Sequence, residues 1–179
     1  MLSVDTVGSP YIFLDDYHLS EDIKRGCRKS EFQFITKDIG CFIIDEGSGN
    51  DLPDFILDSR NNVPLISERL KKVFDSLEIK NLYYQRVKLE RKTDNLSESY
   101  WLAVPPRIDC LDRDKSIIDT LWNKAEKVVI DPDKIGNYEI FKISGIVNNE
   151  IIVTDTIKAA VEKAGCTKGC IFFKDDNLL

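Results

Sequence analysis

The sequence predicts an α+β fold: amphipathic helices on a mixed or mainly antiparallel sheet, built around two similar hairpin-helix-strand units. Two observations carry this expectation. The first is an internal repeat, in which Asn61-Asn62-Val63-Pro64-Leu65-Ile66-Ser67-Glu68 returns as Asn148-Asn149-Glu150-Ile151-Ile152-Val153-Thr154-Asp155 at a constant offset of 87 residues. Each copy reads as a turn, an apolar strand and a helix N-cap, then a helix and another apolar strand. The second is punctuation: short apolar runs are separated by Gly, Asn, Asp and Pro, which mark turns. Two copies are too few for a solenoid, which needs three or more repeats to bury a continuous core.

In chain order, Tyr11-Ile12-Phe13-Leu14 predicts a short strand ended by Asp15-Asp16. Glu31-Phe32-Gln33-Phe34-Ile35 alternates polar and apolar, the period of a half-buried strand. Residues 41–44 form a compact apolar strand, closed by the turn-rich loop 46–51. Residues 55–57 form the next strand, and Leu65-Ile66 return antiparallel to it across an Asn turn. Ser67 is the N-cap of a helix, with Glu68 where a negative charge suits the helix dipole. Leu70, Val73, Phe74 and Leu77 make its apolar stripe, and Leu82-Tyr83-Tyr84 the strand that follows. Residues 91–99 are polar and read as a loop, and residues 100–104 as a strand stopped by Pro105-Pro106.

Residues 107–116 then form a charged connector. Ile117, Ile118, Leu121, Trp122 and Ala125 have helical spacing, after which residues 127–130 turn strand-like until Asp131-Pro132. Ile140-Phe141-Lys142-Ile143 pairs with residues 151–153 across Asn148-Asn149. Thr154 caps the last helix, whose stripe is Ile157, Ala160, Val161 and Ala164. Gly165 stands where a left-handed residue ends a helix, and residues 170–173 give the final strand.

A chain of 179 residues fits one domain, 1–179; a boundary near 92–99 would instead give lobes 1–92 and 99–179. No apolar run reaches the ~20 residues that span a bilayer, and no leader pattern opens the chain, so the expected location is the cytoplasm. The five cysteines (27, 41, 110, 166 and 170) are odd in number and irregular in spacing, which predicts reduced, partly buried thiols. Only Cys166 and Cys170 lie close together in sequence.

Charge is uneven. Residues 1–60 hold twelve acids and six bases, residues 61–179 nineteen of each, so the net charge of −6 lies in the first third. Asp38, Asp45, Glu46, Asp51, Asp54 and Asp58 follow one another with no base among them. Such a segment repels nucleic acid, whose binders need a basic footprint, and attracts a basic protein. The plainer reading is a solvated loop that aids solubility.

Catalytic patterns are missing from the sequence. His18 is the single histidine that a Ser–His–Asp or Cys–His arrangement would have to use. Gly47-Ser48-Gly49 lacks the lysine and helix of a phosphate cradle. Asp109, Asp112 and Asp114 do not fit a calcium loop, because Asp114 and Thr120 stand where Gly and Glu belong. No cofactor or metal is implied. Asp45, Glu46 and Asp51 would serve a carboxylate enzyme only if folding brought them together. Tyr100, Trp101 and Trp122 are candidate interface anchors, with core packing as the alternative.

The ordered series Pro53-Asp54-Phe55, Leu65-Ile66-Ser67-Glu68-Arg69-Leu70, Arg107-Ile108-Asp109 with Ser116, Ile140-Phe141-Lys142-Ile143, Ile152-Val153-Thr154 and Gly169-Cys170-Ile171-Phe172-Phe173 resembles a known family. It is similar to family eleven of the immunity proteins of bacterial polymorphic-toxin systems, formerly a domain of unknown function. Order and spacing carry the match over residues 11–173. Thr154 stands where Ser is expected, and Cys170 falls within the glycine-then-aromatic strand. The resemblance implies a protein that binds and neutralises a cognate toxin encoded beside it, and it transfers no binding residues. Were that toxin a basic nuclease, residues 38–58 would mimic a phosphate backbone, with Asp45, Glu46, Asp51 and Asp54 as the contact residues. The rival readings are a small carboxylate enzyme that inactivates a toxin or ligand, marked by substoichiometric action, and a general protein-binding adaptor, marked by the lack of a neighbouring toxin gene.

Overall fold

A computed structural model of the chain describes residues 2–3, 19–35, 39, 41–44, 52–58, 62–91, 93–147 and 150–172. The fold is α+β. Its strands are β1 (Leu2–Ser3), β2 (Cys41–Ile43), β3 (Phe55–Asp58), β4 (Val63–Ser67), β5 (Tyr83–Arg91), β6 (Leu96–Val104), β7 (Arg107–Ile108), β8 (Ile117–Asp119), β9 (Lys124–Lys127), β10 (Ile140–Ile143), β11 (Ile152–Val153) and β12 (Ile171–Phe172). Its helices are α1 (Glu21–Lys29), α2 (Glu68–Ser76) and α3 (Asp155–Lys163).

The main sheet has the order β2-β5-β6-β4-β3; β2 runs parallel to β5 and the other pairs are antiparallel. The expected return of β4 along β3 is present, with Phe55 opposite Ile66 and Ile56 opposite Leu65. Strand periodicity sends neighbouring residues to opposite faces. Ile56, Leu65, Leu102 and Val104 therefore enter one core with Ile23 and Cys27 of α1, while Phe55, Ile66 and Ala103 enter another with Leu70 and Phe74 of α2 and Ile157 and Val161 of α3. Each such aliphatic side chain, fully buried, contributes about 1.5–3 kcal/mol. A third core lies under the β11-β10-β7 sheet and the β8–β9 hairpin, around Cys110, Leu111, Ala125, Phe141 and Ile143.

Several elements differ from expectation. Of residues 127–130 only Lys127 lies in a strand, the end of β9, while Ile130 makes an isolated bridge to Leu111. The connector expected at 107–116 opens with β7. α1 had no strong sequence signal: only Ile23, Gly26 and Cys27 face inward from an otherwise polar helix. Its ends are fixed locally: the Ser20 side chain accepts from the Ile23 N–H at 3.2 Å and Ser30 closes the helix at φ 56°. Residues 31–35 are a 3₁₀ turn over Phe32–Phe34, not a strand. Their alternating apolar residues serve separate contacts: Phe32 stacks on Tyr83, and Arg25 lies 3.9 Å over the Phe34 ring.

Arg91 and residues 96–99 lie not in a loop but in the ends of the long β5–β6 hairpin, with residues 93–95 in its turn. Arg91, which is 3 % exposed, grips the Asp94 carboxylate through Nε (3.0 Å) and a second guanidinium nitrogen (2.7 Å), and Asn95 turns the chain at φ 55°. Finally, the helix expected from Ile117 to Ala125 is the β8–β9 hairpin. Ile118 and Ala125 face the third core, whereas Ile117, Leu121 and Trp122 face solvent.

The two helix caps of the repeat act differently. The Ser67 hydroxyl accepts from the Leu70 N–H at 3.2 Å and donates to Asp54 Oδ1 at 2.8 Å, so both of its hydrogen-bonding roles are used. Thr154 occupies the N-cap of α3 but makes no side-chain cap bond, and among the described residues its buried Oγ1 finds no partner. Ser67→Ala is accordingly expected to cost about 1–2 kcal/mol in chemical denaturation. Thr154→Val, which removes an unbonded buried hydroxyl, should change stability by less than about 0.5 kcal/mol or raise it. Equal losses in both variants would show that Thr154 caps after all.

Candidate binding surface

The segment singled out for its charge is only partly described. Asp45, Glu46 and Asp51 lie outside the described residues, as do His18, Gly47-Ser48-Gly49 and the strand expected at 11–14. Asp54 is described and sits inside the molecule at 5 % exposure. Its carboxylate accepts from Ser67 and lies 3.8 Å from an Arg69 guanidinium nitrogen, and its N–H donates to the Lys168 carbonyl at 2.8 Å. Asp54 therefore anchors the start of β3 to the cap of α2. Asp58, which ends β3, is also fully buried.

The three candidate aromatics separate clearly. Tyr100 is core, its hydroxyl donating to the Pro53 carbonyl at 2.6 Å. Trp101 packs beside the second core, its indole N–H donating to Glu68 at 2.7 Å. Trp122 is 68 % exposed and its neighbour Leu121 is 79 % exposed, both in the loop joining β8 to β9.

That loop is held in place. The Asp119 carboxylate accepts from the Leu121 and Trp122 N–H groups at 2.8 and 3.3 Å, closing an Asx turn. Asn123 takes φ 51°, a conformation that Asn tolerates, and its carbonyl accepts from the Val147 N–H at 2.8 Å. Val147, itself 53 % exposed, is thereby fixed beside the tip.

Next to the tip lies a cleft of about 510 Å³ lined by Arg28, Lys29, Arg107, Asn123, Gly145, Ile146 and Val147. Its wall is set by Arg107, which donates to the carbonyls of Arg28 (3.0 Å), Ile143 (2.7 Å) and Ile146 (3.2 Å). Behind it Lys142 is fully buried, with Nζ 3.4 Å from the Cys27 carbonyl. Both cations meet the carbonyl end of α1, where positive charge is favoured. Burial, helped by the Arg107 charge, pulls the Lys142 ammonium down to about 8. Burial pushes the neighbouring Cys27 thiol up to about 12, which makes it inert. Arg28 and Lys29, by contrast, are exposed, and neither is ion-paired among the described residues.

Among the described residues no three of His, Cys, Asp and Glu come close enough to hold a metal. Asp112 accepts from the Asp114 and Lys115 N–H groups and pairs with the Lys115 ammonium at 2.8 Å, so it shapes a turn; Asp109 pairs with Arg113. No helix among the described residues is long and apolar enough to cross a membrane.

These features define a small α+β protein that presents the exposed Leu121 and Trp122 on a fixed hairpin, beside a cleft edged by the exposed cations of α1. A family model described as the immunity protein family (Imm11) matches residues 41–174, and the chain belongs to that family. No curated protein matches the chain. The matched span takes in the β3–β4 hairpin, α2, both copies of the repeat and the β8–β9 tip, and leaves out α1.

Proposed function

We propose that this chain is a non-enzymatic immunity protein, acting as a single domain in the cytoplasm, that binds a cognate bacterial toxin domain and neutralises it. Membership of the immunity protein family is the observation that carries the reading. The fixed, exposed Trp122 and Leu121 support a binding role, because large aromatics dominate interface energies. With a basic toxin such as a nuclease, Asp45, Glu46 and Asp51 supply the electrostatic contact. Asp54, held from within by Ser67, anchors the start of β3.

Co-expression with the adjacent reading frame tests this reading: rescue from toxicity together with co-purification supports it, and absence of both contradicts it. Reversing Asp45, Glu46 and Asp51 to lysine is expected to slow association about tenfold or more at low salt. The effect should fade as salt screens the charges. Association rates that keep the unmodified salt dependence would exclude this segment as the contact.

A further inference from the structure

We propose that the β8–β9 tip and the cation-rimmed cleft beside it form a second docking surface, on which the toxin partner seats an acidic segment carrying an aliphatic or aromatic side chain. This rests on the toxin-binding reading above and names a different part of the surface. Three observations define the occupant. Leu121 and Trp122 project from a loop whose backbone is fixed by Asp119 and by the Val147–Asn123 bond, so little ordering cost remains on binding. Ile146 and Val147 give the cleft an apolar floor of a size that takes a side chain. Arg28 and Lys29 stand at its edge as exposed cations without carboxylate partners among the described residues, on a chain whose net charge is −6. Their complement is an acidic group next to an apolar one.

A small free anion fits the surface less well. Arg107, the innermost cation, already donates to three backbone carbonyls, and such a ligand would leave Leu121 and Trp122 uncovered. A protein segment uses all of these features together.

The probe is the toxin domain that co-purifies with the unmodified chain. Trp122→Ala is expected to raise its Kd about 30-fold or more. Arg28→Glu with Lys29→Glu is expected to raise it about tenfold and to flatten its salt dependence. Trp122 is exposed, so the melting curve of Trp122→Ala should stay close to the unmodified protein's. The double reversal, in the last turn of α1 where negative charge is disfavoured, should lower the melting temperature by a few degrees without unfolding the chain. Trp122→Phe, which keeps an aromatic anchor, should recover part of the affinity. A Kd for Trp122→Ala within twofold of the original overturns the docking surface, and so does tighter binding after charge reversal. If the chain instead self-associates through the tip, with Trp122→Ala restoring the monomer, the occupant is a second copy and the toxin assignment is overturned. Failure of the unmodified chain to bind or rescue overturns the toxin-binding reading itself.

Discussion

Replacing Gly169 by alanine is expected to lower the melting temperature by roughly ten degrees, a loss of at least about 3 kcal/mol for a chain of this size. Gly169 has φ 82°, and a Cβ built there would lie 2.1 Å from the Phe55 carbonyl oxygen and 2.8 Å from the Pro53 Cβ. The oxygen belongs to backbone that cannot move freely. The preceding carbonyl, Lys168, accepts from the N–H groups of Asp54 (2.8 Å) and Phe55 (3.1 Å), which staples this turn to the start of β3. A side chain at 169 would push that staple open, loosening Asp54 and with it the Ser67 cap. Gly165 is the control: it also has positive φ, at 65°, but nothing lies within 4 Å of its built Cβ. Gly165→Ala should cost only the backbone strain of about 1 kcal/mol. Equal losses at the two positions would show that the close approach to β3 contributes nothing.

Lys142→Met is expected to raise stability at pH 7, by up to about 3 kcal/mol, because it removes a buried charge while keeping a long apolar stem. The sign follows from proton binding. The ammonium ordinarily titrates near 10.5 and is pulled down to about 8 in the folded chain. Between those values the unfolded chain binds more protons than the folded one, so the native protein gains stability as pH rises through the window. Below pH 8 Lys142 is charged in both states and the full cost of burial remains; above 10.5 it is neutral in both and the cost is gone. The advantage of Lys142→Met should therefore shrink steadily from pH 8 to 10.5. Cys27 acts in the opposite sense. Its raised value of about 12 gives stability below pH 9 that is lost on the way up. The Lys142 charge holds that thiol down, so the part of the window below pH 9, where Cys27 is neutral in both proteins, reports Lys142 alone. A pH-independent difference, or a loss of stability at pH 7, would contradict this account of the Lys142 site.

The elements legible in the sequence were those with tertiary roles encoded locally. The β3–β4 pairing, the Ser67 cap and the stripe Leu70–Phe74 each need only a turn signal, a cap or a period, and each is present. Misreadings arose where one local pattern had two physical solutions. Ile117, Ile118, Leu121, Trp122 and Ala125 have helical spacing, yet Asp119 and Asn123 supply turn chemistry that folds them into a hairpin and turns Trp122 outward. The polar residues of β6 looked like loop because their side chains are exposed, while Arg91 and Asp94 close the hairpin through a pairing that periodicity does not register. α1 carries no clear apolar period because Gly26 and Cys27 make its buried stripe small.

Charge alone drew attention to Asp54, but the buried carboxylate holds structure together through Ser67. The basic edge formed by Arg28 and Lys29 was invisible for a related reason. It comes from the end of α1 meeting β7 and the turn after β10, residues far apart in sequence.

The central claim, that this chain protects by binding and not by catalysis, is tested most directly by titrating a fixed amount of active toxin domain with the purified chain. At concentrations well above Kd, the account predicts that toxin activity falls linearly and vanishes at one-to-one stoichiometry. Active toxin should be recovered when the complex is separated under denaturing conditions and refolded. Complete inactivation by a small fraction of an equivalent, with the toxin left permanently altered, would contradict it.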